Sequence, residues 1–328
     1  MRRREFITLL GGAAAAWPRA ARAQQPAMPV IGFLGSETPE LHADRVSAVR
    51  KGLSEAGYLE GRNVAIQYHW AQGKNDRLPA LAADLVRRQV TVIVAAGGTP
   101  STLAAKTATT TIPIVFYVGV DPVEIGLVAS LARPGGNLTG VSGLSVELVR
   151  KRLELLHELI PTATNVALLV NPTNPTLADA TSKDMQSAAH TVGLQVHTLH
   201  ASTEREIDTA FATLVQLRAG ALVIGPDAFF ASRNEQLAAL ALRHAVPTIY
   251  EYRAFAAAGG LMSYGGSVVD AFRQVGVYTG RILKGEKPAD LPVQQFARVE
   301  LIINMKTAKM LGITFPNSLL GRADEVIE

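Results

Sequence analysis

The chain has 328 residues and no cysteine, and its 32 lysines and arginines slightly outnumber its 28 aspartates and glutamates. The lack of cysteine excludes disulfides, thiolate metal sites, thiol nucleophiles and a lipid-modified cysteine anchor. Residues 1–23 hold five of the arginines and one glutamate, so 27 basic and 27 acidic residues remain outside that segment. Without a remaining basic cluster, nucleic-acid binding and tight adhesion to anionic lipid lose their electrostatic basis.

The first 23 residues have the pattern of an export signal. The paired arginines Arg3 and Arg4 precede an apolar stretch over residues 8–17, which leads to the small-x-small sequence Ala21-Arg22-Ala23. This order is typical of a secretory signal, and the arginine pair resembles the twin-arginine export signal. A basic tail without a targeting role is the alternative. The pattern predicts a periplasmic protein that begins near Gln24 and has no direct membrane anchor, since no later apolar run reaches ~18 residues.

The first half of the remaining chain alternates short apolar runs with amphipathic stretches. Strands are predicted at residues 30–35, 63–70, 90–95 and 113–117, and helices at 42–56, 77–88 and 102–109. Strands separated by helices of this length indicate parallel βαβ units, with helices on both faces of the sheet. The length after the signal, roughly 305 residues, predicts two domains.

The second half repeats this order. Strands are predicted at residues 166–171, 195–200, 221–225 and 246–250, and helices at 177–192 and 206–217. The offsets from Val30 to Val166, from Val92 to Leu222 and from Pro113 to Pro247 are nearly constant. A chance βαβ rhythm is the alternative to two copies of one α/β lobe. Beyond the repeat, strands at 259–264 and 299–304 and helices at 268–283 and 306–311 are positioned to cross back between the lobes.

Polar residues directly follow the predicted strands. Ligands of open parallel sheets bind beyond the carboxyl ends of the strands, so two facing lobes would bring these residues to one cleft. A polar set with a few carboxylates and aromatic rings suits a small-molecule site. The candidate ligand-binding residues are Ser36, Glu37, Gly98, Thr99, Ser101, Asp121, Asn171, Asn174, Asp227, Tyr250, Glu251 and Tyr264.

Two kinds of recognition are predicted within this set. The turn at residues 97–101 is suited to present backbone N–H groups to a ligand carboxylate, because a helix follows it. Asp121, Asp227 or Glu251 is suited to hold a ligand ammonium group.

Each candidate also has a purely structural interpretation. Thr99 and Ser101 are good helix N-caps, and Asp121 before Pro122 is a common turn opener. The Asn-Pro pairs that begin at Asn171 and Asn174 are turn pairs. Tyr250 and Tyr264 are also consistent with packing residues whose hydroxyl groups are satisfied.

Signatures of catalysis are missing from the sequence. It contains no G-x-G-x-x-G after the first strand, no phosphate-binding G-x-x-x-x-G-K-[ST], no H-E-x-x-H and no G-x-S-x-G. His197 and His200 lie on one predicted strand at a spacing that places them on opposite faces, which argues against a shared metal. We therefore expect no catalytic residue, no metal and no cofactor. An exported enzyme and a ligand-sensing receptor subunit are the alternative functions.

The sequence resembles the TrpX/YtlA-like substrate-binding proteins of ABC transporters. The most specific similarity is the run Arg-Pro-Gly-Gly-Asn-Leu-Thr-Gly-Val-Ser at residues 133–142, and the segments at 112–116, 121–123, 281–285 and 301–304 support it. The similarity covers nearly all of the chain beyond the export signal. Residues 250–253, Tyr-Glu-Tyr-Arg, depart from the pattern, because other members often have a small residue and paired acids there.

This resemblance implies an α/β fold with two Rossmann-like lobes, parallel sheets and a multi-strand hinge, the type 1 periplasmic binding protein fold. It implies one lobe at residues 28–140 plus 265–291, a second at 141–264 plus 292–328, and hinge segments near 141–143, 262–264 and 292–296. The implied function is capture of a small polar or aromatic, amino-acid-like molecule for delivery to a membrane permease. Thr99, Asp121, Asn171 and Asp227 would be cleft positions, and Phe229 and Tyr250 could stack on a planar ligand.

Overall fold

The computed structural model describes residues 28–295 and 299–328. The predicted export signal and residue 296 of the third hinge segment lie outside the described residues. The first lobe contains the strands β1 (Val30–Gly35), β2 (Ala65–Trp70), β3 (Val92–Ala95), β4 (Ile114–Val118) and β5 (Leu138–Ser142). Its helices are α1 (Ala43–Glu55), α2 (Leu78–Arg87) and α3 (Thr99–Ala108), and a 3₁₀ turn at Asn75–Arg77 leads into α2.

The second lobe begins with a helix that the sequence patterns did not predict, α4 (Glu147–Leu159). Its strands are β6 (Asn165–Val170), β7 (Gln195–His200), β8 (Ala221–Ile224), β9 (Thr248–Tyr250) and β10 (Met262–Gly266). Its further helices are α5 (Pro175–Thr191), α6 (Glu204–Gln216), α7 (Ala228–Ala231), α8 (Asn234–Arg243) and α9 (Arg253–Ala257).

The C-terminal part serves both lobes. The helix α10 (Val268–Leu283) packs on the first sheet, and a 3₁₀ turn at Pro288–Asp290 precedes the short strand β11 (Gln294–Gln295), which pairs with β5. The chain ends on the second sheet with β12 (Val299–Asn304), α11 (Met305–Met310), α12 (Asn317–Leu320) and β13 (Glu325–Ile327).

The two sheets share one strand order. The first sheet runs β11-β5-β4-β3-β1-β2, and the second runs β13-β12-β10-β9-β8-β6-β7. Read from the opposite edge, the five leading strands of each lobe follow the doubly wound order 2-1-3-4-5. This topological repeat confirms the predicted α/β fold with two Rossmann-like lobes. It also explains why equivalent strands of the two lobes, such as β1 with Val30 and β6 with Val166, are separated by nearly constant offsets in the sequence.

The second sheet is not entirely parallel. Strands β10 and β12 pair antiparallel, with Met262 opposite Ile303 and Gly266 opposite Val299, whereas the other strand pairs within the described residues are parallel. The reason is topological, because β12 follows a return from the first lobe rather than a βαβ crossover.

The chain passes between the sheets three times, after β5, after β10 and after β11. These passages are the multi-strand hinge. Pairing places residues 141–142 and 294–295 in the first sheet and residues 265–266 in the second. The division into lobes at 28–140 plus 265–291 and 141–264 plus 292–328 remains our proposal for the units that move.

Each sheet is covered by apolar side chains on both faces. In β1, Phe33 belongs to the core beneath α1 and α10, and its neighbour Leu34 belongs to the core beneath α2 and α3. In β6, the neighbours Leu168 and Leu169 likewise belong to two different cores, one on each face of the second sheet. Successive strand residues point to opposite faces, which is why these buried strands are apolar throughout rather than alternating.

Two glycines allow α1 and α10 to pack closely. A methyl group on Gly52 would lie 1.9 Å from the carbonyl oxygen of Arg273, and one on Gly276 would lie 2.2 Å from the carbonyl oxygen of Val49. Both distances are far below any real contact, so this interface needs glycine at both positions. No helix within the described residues is long and apolar enough to cross a membrane.

Several predicted elements match their observed bounds, among them the strands at 30–35, 195–200 and 299–304 and the helix at 268–283. The helix predicted at 102–109 was placed too late and begins at Thr99. The sequence Gly97-Gly98-Thr99-Pro100 suggested a break before the helix. Proline is nevertheless well tolerated in the first turn, where its missing N–H has no helical partner, so Pro100 opens the helix.

Candidate functional site

Strand-end loops of the two lobes enclose two adjacent cavities of about 30 Å³ and about 10 Å³. Gly97 from the first lobe and Asp227 and Ala228 from the second line both cavities. The larger cavity is also lined by the predicted residues Gly98, Thr99, Asn174 and Glu251. The smaller one is also lined by the predicted residues Ser36, Glu37 and Asn171. The structure thus brings eight of the twelve candidates to one cleft.

Asp227 lies at the centre of the cleft and is only 8% exposed. It caps α7, because its Oδ1 accepts the backbone N–H of Phe229 at 2.9 Å. Burial raises the pKa of Asp227 above its ordinary value, and the hydrogen bonds donated to the carboxylate oppose that rise. No Lys or Arg in the described part of the chain approaches this carboxylate within ion-pair distance, so it is a buried acceptor suited to a cationic ligand group.

Asn171 and Asn174 hold the Asp227 carboxylate from the loop after β6. Nδ2 of Asn171 donates to Oδ1 at 2.8 Å, and Nδ2 of Asn174 donates to Oδ2 at 2.9 Å. Asn171 also serves its own turn, because its Oδ1 accepts the backbone N–H of Thr173 at 3.0 Å. Asn171 therefore stabilises its own turn and also lies in the cleft, in contact with Asp227.

The N-terminus of α3 faces the larger cavity. Gly98 occupies the N-cap position with φ +75°, a left-handed conformation that favours glycine, and Thr99 is 1% exposed. The hydroxyl oxygen of Thr99 is buried without a hydrogen-bond partner among the described residues. Ser101, by contrast, is engaged, because its Oγ accepts the Gly97 N–H and donates to the Gly98 carbonyl, both at 2.9 Å.

Three polar contacts bridge the lobes around the cleft. Nη1 of Arg233 in the second lobe lies 3.4 Å from Oε2 of Glu37 in the first. Asn75 donates to the Thr173 carbonyl at 3.2 Å, and the hydroxyl oxygens of Tyr117 and Tyr252 lie 3.5 Å apart. Burial raises the pKa of Glu37, and the charge of Arg233 opposes the rise. Glu37 thus contacts the opposite lobe through Arg233.

Glu251 takes part in a buried ion pair at the floor of the cleft. Its Oε2 lies 3.5 Å from Nη2 of Arg152, and the two side chains are 3% and 0% exposed. Arg152 also donates from Nε to the Tyr264 carbonyl at 2.8 Å and from Nη1 to the Ser145 carbonyl at 3.1 Å. Because those carbonyls lie beside the first and second passages between the lobes, Arg152 ties two hinge segments together.

The remaining four candidates lie outside the two cavities. Asp121 accepts the backbone N–H of Val123 at 2.7 Å, as a turn opener does. Tyr250 is fully buried and donates its hydroxyl to the Asp227 carbonyl at 3.2 Å, and Tyr264 packs against the core of the second lobe. Ser101 is bonded within the turn before α3. Ligand contact by any of the twelve candidates remains a prediction.

Sequence reasoning missed the arginines of the cleft. Arg45 on α1 and Arg152 on α4 are buried, and the Arg233 guanidinium lies over the Phe229 ring at 3.9 Å from its centroid. All three lie in helices or at a helix start rather than directly after a strand, so a survey of strand ends passes over them. Phe229 therefore already carries a guanidinium on one face, and Tyr250 lines neither cavity, so ring stacking on a ligand lacks support here.

Two α/β lobes with a polar cleft between them and a three-passage hinge define a type 1 periplasmic binding protein, a class that captures solutes between its lobes. The family model described as "ABC transporter substrate binding protein" matches residues 37–327. The chain belongs to this family, as a substrate-binding protein of the TrpX/YtlA type.

Three relatives illustrate the similarity. A tyrosine-binding protein of Clostridioides difficile is 30% identical over 264 residues, covering 80% of this chain and 75% of the relative. The crystal structure of an ABC domain from Streptococcus pneumoniae in complex with L-Trp is 27% identical, with a TM-score of 0.80 over 91% of this chain and 99% of that one. A ligand-free, open substrate-binding protein from Clostridium difficile is 26% identical and covers the same shares, with a TM-score of 0.63.

The two solved structures differ in how well they superimpose on this chain, although their sequence identities are nearly equal. The higher TM-score belongs to the L-Trp complex and the lower one to the open protein. The lobes of this chain are therefore arranged more like those of the L-Trp complex. The interlobe contacts of Glu37, Asn75 and Tyr117 agree with a closed arrangement.

Proposed function

We propose that this substrate-binding protein captures an amino-acid-like solute in its cleft and delivers it unaltered to the permease of an ABC importer. The tyrosine-binding relative and the L-Trp complex support an amino acid as the ligand class. The rival reading, an exported enzyme or a receptor subunit, has no such support. Family membership favours binding without chemistry, as does the absence of catalytic motifs from the sequence.

The observation that carries this proposal is the environment of Asp227. A carboxylate that is buried, held by two asparagines and without a cation at ion-pair distance among the described residues is costly to the protein alone. A ligand ammonium group would offset that cost with a charge-assisted hydrogen bond. Because Asp227 lines both cavities, the ammonium group can reach it from either side of the cleft.

The ligand's acidic group is assigned to the opposite wall. The hydroxyl of Thr99 lacks a partner there, and the first turn of α3 directs its backbone N–H groups and its positive end into the larger cavity. The lobes thus offer different groups, the first lobe a helix N-terminus and the second lobe a carboxylate. Contacts to both lobes are made together only in the closed form, so binding favours closure.

The cleft must widen to admit such a solute. Its two cavities enclose about 30 Å³ and about 10 Å³, whereas small-molecule sites usually enclose ~300 Å³ or more. Opening about the three passages between the lobes would let the solute enter, and the lobes would then close on it less tightly than they do in this structure. The closed, loaded protein is the form proposed to dock on the permease.

The proposal also includes export of the protein from the cytoplasm. The basic, paired-arginine start of the chain supports delivery to the bacterial periplasm, where the protein would act after removal of residues 1–23. Fractionation of cells that express the full chain tests this, with the mature protein expected in the periplasmic fraction. Changing Arg3 and Arg4 together to lysine should retain the protein inside the cell. Periplasmic delivery of that variant would remove the twin-arginine part of the proposal.

The ligand class is tested by a thermal-shift screen of the standard amino acids, followed by native mass spectrometry. A ligand that binds only the folded state raises the melting temperature as its concentration exceeds Kd. We expect at least one amino acid to do so and to be recovered chemically unchanged. A screen in which no amino acid shifts the melting temperature would reject the ligand class, and recovery of a converted product would reject transport without chemistry.

A further inference from the structure

Arg45 is a buried cation that makes no contact ion pair within the described part of the chain, although the carboxylates of Glu37, Asp227 and Glu251 attract it from a longer distance. It projects from the first turn of α1 into the larger cavity and is only 8% exposed. No carboxylate of that part lies within 4 Å of its guanidinium, and its hydrogen bond runs from Nη1 to Nε2 of His42 at 3.0 Å. A guanidinium carries five donors in a planar fork that matches a carboxylate.

His42 fixes the position of this guanidinium. Because arginine only donates, Nε2 of His42 accepts and the ring proton resides on Nδ1. The ring is fully buried and packs edge-on against Trp70 at 5.7 Å between centroids. Burial and the charge of Arg45 hold the pKa of His42 well below its ordinary value, so the ring is neutral. His42 orients Arg45 without neutralising it.

The charged side chains around the cleft form two ion pairs and leave two groups without a contact ion pair. Glu37 is paired with Arg233, and Glu251 is paired with Arg152. Asp227 and Arg45 are left, one of each sign, and both line the larger cavity. The six side chains balance to zero net charge, so a solute that carries one cationic and one anionic group would complete both without leaving an excess charge in the cleft.

We propose that Arg45 binds the acidic group of the solute and makes that group a requirement for recognition, with His42 as its positioning residue. This inference rests on the proposed function, because it assigns one end of an amino-acid-like ligand. Arg45 and Thr99 line the same cavity, so both side chains are candidates to donate to one ligand carboxylate. Loss of the acidic group would leave the buried Arg45 guanidinium without an anion at ion-pair distance.

The test compares each amino acid that binds with the amine formed by loss of its carboxyl group, for example L-tyrosine with tyramine. Isothermal titration gives a preference ratio for the wild type, Arg45→Gln, His42→Ala and the control Arg50→Gln, which changes an exposed arginine of the same helix. We expect the wild type to prefer the amino acid by about 100-fold or more. Arg45→Gln should reduce the ratio to below about 10-fold, with a smaller reduction in His42→Ala and none in the control.

The ratio separates recognition from folding, because a damaged fold weakens both ligands alike. Arg45→Lys, which keeps a charge but offers fewer donors, should retain part of the preference and serves if Arg45→Gln does not fold. An unchanged ratio in the Arg45 variants, or a wild type that binds the amine equally well, would overturn this inference and leave the ligand class intact. A wild type that binds no amino acid would overturn both.

Discussion

Arg233 reaches from the second lobe to Glu37 in the first, with Nη1 and Oε2 3.4 Å apart. The side chains are 15% and 4% exposed, so water screens the pair only weakly. The same guanidinium covers Phe229 and donates to its carbonyl at 3.0 Å, which holds it in place. This pair is therefore positioned to stabilise the closed arrangement of the lobes.

Removing that pair should favour the open form. We expect Glu37→Gln to weaken solute binding by about 10-fold, equivalent to ~1.4 kcal/mol, because closure loses a charge-assisted contact. Titration calorimetry measures the affinity, and small-angle scattering measures the closure. Arg243→Gln, which changes an exposed arginine on α8, is the control. If Glu37→Gln and Arg233→Gln have fully additive effects, the two residues do not act as a pair.

Ligand affinity should depend on pH through Asp227. Burial raises the pKa of this carboxyl, and only its ionised form attracts an ammonium group, so affinity should fall as the pH falls through that raised pKa. Asn171 and Asn174 donate to the ionised form and lower the pKa. Asn171→Ala and Asn174→Ala should therefore move the loss of binding to higher pH, as measured by titrations between about pH 4.5 and pH 8.

The control for this pH profile is Gln216→Ala, which changes an exposed amide at the end of α6. A profile that is the same in the asparagine variants and the wild type would contradict the assigned role of the two donors.

The contribution of Asp227 to the stability of the ligand-free fold depends on pH in the opposite direction to its contribution to ligand affinity. Because its folded pKa is raised, that contribution is greatest at low pH and is lost as the pH rises.

Arg152 should be essential for the stability of the fold, because it pairs with Glu251, a buried carboxylate that lines the cleft. Arg152→Met would leave the Glu251 carboxylate buried without its partner and free the carbonyls of Ser145 and Tyr264. We expect a loss of about 3–5 kcal/mol in the free energy of unfolding, measured by urea titration. The double variant Arg152→Met with Glu251→Met should recover part of that loss. A single variant as stable as the wild type would show that the pair has no structural role.

The close packing of α1 against α10 predicts that a larger residue at Gly276 destabilises the protein. In Gly276→Ala the new methyl group would overlap the Val49 carbonyl, so the helices must separate. We expect a loss of about 1–3 kcal/mol in the free energy of unfolding, typical of overpacking. Ser47→Ala, at an exposed position of α1, should change it by less than about 0.5 kcal/mol. Equal stability of Gly276→Ala and the wild type would contradict the close approach.

The sequence predicted the lobes well because buried parallel strands are continuous apolar runs, as in β1 and β6, and because the second lobe repeats the first. It failed to predict α4 and α8, whose residues lie between the strands used to define the repeat. The cleft carboxylate could be predicted, because Asp227 lies in the loop that follows β8. Its asparagine partners were ambiguous, since Asn-Pro pairs also signal turns.

Arg45, Arg152 and Arg233 could not be predicted from local pattern. Each belongs to a helix or its start and reads as an ordinary surface arginine in sequence. Only tertiary packing buries Arg45 and Arg152, half-buries Arg233, and directs these side chains to carboxylates or to the cavity. The partner of Glu37 was hidden for the same reason, because it comes from the other lobe, 196 positions along the chain.

We propose that Asp227 holds the ammonium group of a solute that is bound between the lobes. The most direct test of this proposal is isothermal titration of the wild type and Asp227→Ala with each standard amino acid. We predict binding by the wild type to at least one amino acid and a loss of about 100-fold or more in the variant, with its circular dichroism spectrum unchanged. Equal affinity in the two proteins would contradict a role of Asp227 in solute binding.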